Sequence, residues 1–221
     1  MAIADAISRV RQFKGDSLTE TIAAVESQMR GTGAPAVVSI NHSCGVTPEL
    51  LIAAAEVKRA SAQIDVVIHA IGILSALPHI LREDEVIEGL SLGAGSAGSD
   101  FDVVTNERIA EFKFIRWQEK GNAVRNSTLF QDYYRLVREE TDKERYLYLL
   151  ETEIPLRFLG GGRDPLKVLD RSKSLGEDFA ARYGLAYRTV GDYHKAHQAE
   201  VQIANLTEMV PGFDEFVAIF R

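Results

Sequence analysis

The sequence predicts an α/β fold: a mixed four-stranded sheet with covering helices, preceded by a helical extension. Three observations carry this. Up to about residue 60 the apolar residues recur mainly at helical spacing. From about residue 85 three short strand-like runs follow one another. A helical run over 126–140 then leads into 146–150, a continuous apolar run of the kind a buried parallel strand shows. With the apolar helix over 64–81, the order is helix, three strands, helix, strand, which requires a crossover and so a mixed sheet. At 221 residues the chain suits one sizeable domain with an extension, with 1–62 as the helical N-terminal part and 63–221 as the core and its C-terminal helices.

Each element has a local reason. Residues 3–13 carry helical apolar spacing. Ser17 and Glu20 form a capping-box pattern ahead of an amphipathic run to about Met29. The glycines and Pro35 over 31–35 break that helix, and 36–40 reads as a short strand or an extended connection. Thr47, Pro48 and Glu49 supply an N-cap, a first-turn proline and a first-turn acid for a helix to about residue 60. The run 64–81 is apolar all round, which predicts burial in the core. Residues 85–92 alternate in part, with Val86, Leu90 and Leu92 as inward candidates. Runs 101–104 and 108–115 are joined by a tight turn at Asn106 and Glu107, since asparagine tolerates positive φ. Gly160 to Gly162 mark a loop, Asp164 and Pro165 cap a helix to about residue 183, and 213–220 is weakly helical.

Composition narrows the function classes. Apolar residues are 46% and charged residues 26% of the chain, which is globular composition rather than disorder. The single cysteine, Cys44, excludes an internal disulfide framework and a thiolate zinc cluster and fits a reducing cytosol. The chain opens without a basic leader, and its most apolar stretch, 66–77, is shorter than the roughly 20 residues a bilayer requires. A cytoplasmic protein without a membrane partner is expected. Net charge is −7 and no segment forms a basic stripe, which argues against adhesion to nucleic acid over the whole surface while leaving room for a local basic groove.

The run from Gly93 to Gly98 spells G-x-G-x-x-G. A dinucleotide fingerprint needs that loop to open a helix whose N-terminus receives the pyrophosphate. Here a strand pattern begins at Phe101, so a plain interstrand loop is the better reading.

The chemistry concentrates over 100–113. With the turn at Asn106 and Glu107, Val104 faces Ile109, Val103 faces Ala110 and Asp102 faces Glu111. Opposed residues of an antiparallel pair point to one side, and Lys113 joins them two residues on. Two opposed carboxylates are unfavourable unless compensated, and a divalent cation bridging them supplies the compensation. A solvated polar hairpin face with a surface Glu–Lys pair is the competing reading of the same spacing.

This arrangement resembles the PD-(D/E)xK nuclease-like (restriction-endonuclease-like) superfamily over about residues 64–184, with Asp102 as the motif aspartate and Glu111 to Lys113 as the E-x-K element. The first motif is Phe-Asp where that superfamily commonly has Pro-Asp. The resemblance implies an αβββαβ core and a metal-dependent nuclease, with Asp102, Glu111 and Lys113 catalytic. Magnesium, or manganese in its place, would be held by Asp102, Glu111 and the carbonyl of Phe112. It also implies a nucleic-acid substrate, DNA ahead of RNA, and a homodimer would suit cutting two strands. Gln131 is placed as in members that add a glutamine and tyrosine on the next helix, although Tyr134 follows three residues on rather than four. An acid on the preceding helix is missing between Val66 and Leu81, and Glu88 is a weak substitute.

Arg116, Lys120, Arg125, Arg135 and Arg138 follow the E-x-K strand into the next helix. Arg116 and Arg125, with Gln131, are the candidate substrate contacts, while Glu119, Asp132, Glu139 and Glu140 argue for a solvated mixed-charge face. His42 with Cys44 lacks the third group a thiol nucleophile needs. His69 and His79 read as hydrogen-bonded core or helix-end residues rather than ligands, His194 and His197 as surface ones, and the tyrosines and Trp117 as core or groove walls. Two function classes remain: a metal-dependent phosphodiesterase, and a non-catalytic nucleic-acid-binding or assembly protein on the same core.

Overall fold

Capping decides where the first helices start. In the computed structural model, which describes residues 1–93 and 100–219, the chain divides into two units, Met1–Ile64 and Asp65–Arg221. The first holds α1 (Ile3–Lys14), α2 (Leu18–Met29), α3 (Ala34–Ser43) and α4 (Pro48–Ala60). The Ser17 hydroxyl accepts the Glu20 amide at 3.4 Å and Thr47 accepts the Leu50 amide at 3.2 Å, so both predicted N-caps are formed. α1 packs on α4, with Ala6 and Ala53 fully buried. The strand or extended connection expected over 36–40 is instead α3. Pro35 lies in its first turn, and the small helix-propensity cost of Val37, Val38 and Ile40 is outweighed once that turn is nucleated.

The second unit begins with α5 (Ile64–Ile80), followed by β1 (Ile87–Leu90), β2 (Val103–Thr105), β3 (Arg108–Lys113), α6 (Ala123–Arg138) and β4 (Glu144–Leu149). Then come α7 (Glu153–Leu159), α8 (Pro165–Leu169), α9 (Lys173–Tyr183), α10 (Val190–His197), β5 (Gln202–Asn205), α11 (Leu206–Met209) and α12 (Phe213–Ala218). The sheet runs β1-β2-β3-β4-β5. β1, β2 and β3 are antiparallel neighbours, and β4 and β5 add in parallel. The hairpin has the predicted register, Val103 with Ala110 and Val104 with Ile109. The sheet therefore has five strands rather than the expected four. β5 is four residues long with an exposed Gln202, too short to carry a legible alternation.

Alternation along β3 and β4 divides the core between the two faces of the sheet. Ile109, Leu147 and Leu149 pack with Leu129, Phe130, Tyr133, Tyr134 and Leu136 of α6 and with the helices after β4. Ala110, Phe112 and Tyr148 pack with Ile73, Ala76, Leu77 and Ile80 of α5 and with the C-terminal helices. Glu111 and Lys113 share the parity of Ile109, which turns them toward α6.

Several expectations are corrected here. α5 is not buried all round: one stripe meets the sheet, while Ile64, Val67, Ile71 and Leu74 are exposed. Val86 is also exposed, at 62%, because β1 starts after it. The single helix expected over 164–183 is two, α8 and α9, separated where Ser172 leaves helical geometry at φ −125 and ψ 89. The glycine run starting at Gly93 lies, over 94–99, outside the described residues. The length argument against a membrane span is also revised. Among the described residues one helical stretch, Pro48–Ile80, is long and apolar enough to span by length and composition. It contains α4 and α5, is interrupted by Gln63 at φ 68, and carries Glu56, Lys58, Arg59 and Asp65, which are costly at bilayer depth.

Candidate active site

The three residues expected to converge do so at the end of β2 and β3. Asp102 Oδ2 accepts the Phe112 amide at 2.8 Å across the hairpin, and its carboxylate lies near enough to Glu111 to help raise that group's pKa. Lys113 forms an ion pair with Asp132 of α6, and Arg135 lies 3.8 Å from the other Asp132 oxygen. The second oxygen of Asp102 meets His69 Nε2 of α5 at 3.1 Å. Phe112, Glu111 and His69 thus bear on Asp102, while Lys113 and Arg135 bear on Asp132.

Close packing brings α5 this near. Gly72 sits against the Phe114 ring, and a Cβ there would fall 2.5 Å from it. One turn before Gly72, the His69 ring meets Phe114 edge-on at 5.8 Å. Beside the cluster a cavity of about 380 Å³ is lined by His69, Lys113, Thr128 and Asp65. Asp65 is an acid on the preceding helix, one residue ahead of the Val66–Leu81 span.

Three carboxylates share this pocket with one lysine. Burial, then the neighbouring Asp132 and Asp102 carboxylates, push Glu111 up to about 10, so its carboxyl is protonated at neutral pH. Asp132 is raised by burial despite Lys113. Burial opposes the Lys113 charge, but Asp132, Glu111 and Asp102 outweigh it and hold the ammonium above its ordinary value. An excess of acid in a water-poor pocket is the electrostatic setting in which a divalent cation binds through hard oxygen ligands. Carboxylate oxygens are the kind of donor such an ion takes. As the side chains lie, however, they are committed to one another: among the described residues no group of three His, Cys, Asp or Glu is arranged as a ready cage.

The other expected residues are placed less directly. Gln131 donates to Ser127 Oγ at 3.1 Å, and its neighbour Asp132 takes the position facing Lys113. Arg125 bonds Asn122 at 3.3 Å, and Arg116 is half-buried. Glu88 pairs with Lys143, apart from the cluster. His194 is half-buried against Tyr133, and His197 bonds Glu200 and Tyr187, so neither is the free surface residue expected. The place of Asp132 in the site, and Asp102 as the hydrogen-bond partner of His69, are not legible in the sequence. Helical spacing gave no hint of His69, whereas Asp132, three residues before Arg135 on an otherwise apolar-facing stripe, was visible but read as surface. Compared with family models, curated proteins and solved structures, the chain matches none.

Proposed function

We propose that the chain is a metal-dependent phosphodiesterase acting on nucleic acid, built on a restriction-endonuclease-like core. The observation that carries this is the pocket in which Asp102, Glu111 and Asp132 crowd one lysine. The element order α5, β1, β2, β3, α6, β4 with its mixed sheet supports the same reading. Asp102 and Glu111 would hold magnesium or manganese, with the Phe112 carbonyl a candidate third oxygen. Such an ion supplies Lewis-acid charge and a more acidic bound water.

The chain's own residues prepare the site. The Phe112 amide and His69 orient the Asp102 carboxylate from two sides, and Glu111 must release its proton to ionise. Lys113 keeps its charge, and on leaving Asp132 it can donate to a non-bridging phosphate oxygen or to the attacking water. Asp132 holds that lysine until substrate arrives. Arg125, Arg116 and Arg135 supply further positive charge around the approach, with DNA the preferred polymer and a dimer the arrangement suited to two strands.

The test compares wild type with Asp102→Asn and Lys113→Met on labelled DNA and RNA in magnesium or manganese. Each variant should lose at least about 100-fold in cleavage, about 2.7 kcal/mol of barrier, while retaining its fold. Cleavage that survives both substitutions means the activity has another source. The second reading, a non-catalytic nucleic-acid-binding protein, is favoured by the commitment of Lys113 to Asp132 and by the lack of a ready three-ligand cage among the described residues. It is the outcome if nucleic acid binds but is never cut.

A further inference from the structure

The four helices of the first unit enclose almost no core. Among the described residues of Met1–Ile64 only Ala6 and Ala53 are buried. Units shorter than about 70 residues rarely stand on one core alone, and natural ones add disulfides, metals or association. The single cysteine excludes an internal disulfide. The six basic and six acidic residues of the unit cancel, so the net charge of −7 falls on the rest of the chain. A neutral body with exposed apolar residues has little to oppose its association.

The apolar residues left outside lie in stripes. On α2, Leu18, Ile22, Val25 and Met29 follow one another at spacings of four, three and four, the seam of a coiled-coil helix, yet none of the described residues of α2 is buried. On α1, Ile3, Ile7 and Val10 keep the same spacing. Ile3, Ile7, Leu18 and Ile22 are 44%, 43%, 43% and 42% exposed, so the two helices of one chain do not cover each other's seams. Charge says what suits them. α1 carries Arg9, Arg11 and Lys14 against Asp5, whereas α2 carries Glu20 and Glu26 and no basic residue. Two copies of α1, or two of α2, would meet as like charges, while α1 and α2 attract. Lys14 extends the α1 seam. Arg11 follows Val10 and Glu26 follows Val25, so each stands beside its seam, where paired helices set their salt bridges. Among the described residues none of Arg11, Lys14 and Glu26 takes part in an ion pair.

We propose that a second copy of this chain covers the two seams, with α1 of each copy packed on α2 of its partner. A two-fold axis makes both contacts at once, because the same patch then meets itself in exchanged order. Two helices of 12 residues on each side match the extent of a standard interface, about 20–30 residues per partner. The amphipathic face of α2, left open within one chain, becomes the core of the pair. The interface stands apart from the nuclease reading, and where that reading holds it is what joins two cleaving units.

The test uses the full chain in sedimentation equilibrium over a range of concentrations, with circular dichroism to follow folding. Wild type should be a dimer at about 100 μM. Ile22→Glu puts a charge into the seam and should raise the dimer Kd at least about 10-fold. Glu26→Arg should weaken the dimer about 2- to 10-fold, because the lost pair occurs twice. Adding Arg11→Glu to that variant should restore wild-type affinity, and such recovery separates pairing from misfolding, which a second charge change would not repair. A monomer at that concentration, or a dimer indifferent to Ile22→Glu, overturns the proposal. A dimer weakened by Glu26→Arg and not recovered by Arg11→Glu overturns the pairing of α1 with α2. Flotation with vesicles of phosphatidylcholine and phosphatidylserine, by a chain that stays monomeric, gives the seams to lipid and overturns the second copy. A dimer with the expected responses, in a wild-type protein that never cleaves, leaves the interface standing while the nuclease reading fails.

Discussion

At one end of β3 Arg108 faces a single acid, whereas at the other end Lys113 faces three. Arg108 grips Glu85 through Nε and Nη2 and gives a further nitrogen to the Tyr148 hydroxyl at 2.8 Å. Glu85 also accepts from Thr105 at 2.6 Å and from the Arg82 amide at 3.1 Å, and the Arg108 guanidinium stacks over Tyr146 at 4.8 Å. Both side chains are almost fully buried. Burial works against the Glu85 charge, but Arg108 and Thr105 reverse that and hold its carboxyl below the ordinary value. At the other end burial and like charge act together, and Glu111 is driven the opposite way. A balanced, fully hydrogen-bonded charge pair braces a fold. An unbalanced one sets aside binding energy for a ligand that restores the balance.

The sharpest way to break this contrast is Arg108→Met. Leaving Glu85 buried and unpaired should cost about 3–5 kcal/mol, a fall in Tm on the order of 10 °C. Restoring neutrality with Glu85→Leu in the same chain should recover most of it. Chemical denaturation of the single and double variants checks both. A loss below about 1 kcal/mol would mean the pair is not the brace described.

Gly72→Ala should have the next largest effect. The added methyl has to displace the Phe114 ring, costing about 1–3 kcal/mol as overpacking, and it should lift His69 from Asp102. The check is the His69 ring resonance, which in wild type responds to Asp102→Asn and in Gly72→Ala should no longer do so.

Glu111→Gln should act in the other direction and more mildly. In the unfolded chain a glutamate ionises near 4.5, and in the fold this one does so near 10. Between those values the unfolded state has lost a proton that the folded state keeps. The group's contribution to stability is therefore whole below about pH 4.5 and declines as pH rises toward 10. Removing the titration should raise the Tm of the metal-free protein at pH 8 by several degrees and flatten its decline with pH. A Tm that falls, with the slope unchanged, would place Glu111 outside the buried cluster.

The legibility of these two ends from sequence differed for a physical reason. Strand residues have a period of two, so a turn at Asn106 and Glu107 was enough to pair Val103 with Ala110 and to align Asp102, Glu111 and Lys113. A helix residue's direction depends on how its helix rolls against the sheet, about 100° per residue. That roll separates Gln131, which was expected at the site, from Asp132, which is there. His69 depends further on the close approach that Gly72 permits, a tertiary fact. Glu85 lies before β1, beyond any periodic element, and its partner Arg108 is 23 residues away. α3 was misread because a few β-branched residues resemble a strand when too few turns are available to show a helical period.

The most direct test of the central claim is calorimetric titration of the full chain with magnesium and manganese, repeated in two buffers of different ionisation enthalpy at pH 7. The expected result is saturable divalent binding accompanied by release of about one proton, since Glu111 must ionise to become a ligand. Binding should be lost in Asp102→Asn, and Glu111→Gln should show no coupled proton. No divalent binding by the folded protein, with or without nucleic acid, or binding that Asp102→Asn leaves unchanged, would contradict it.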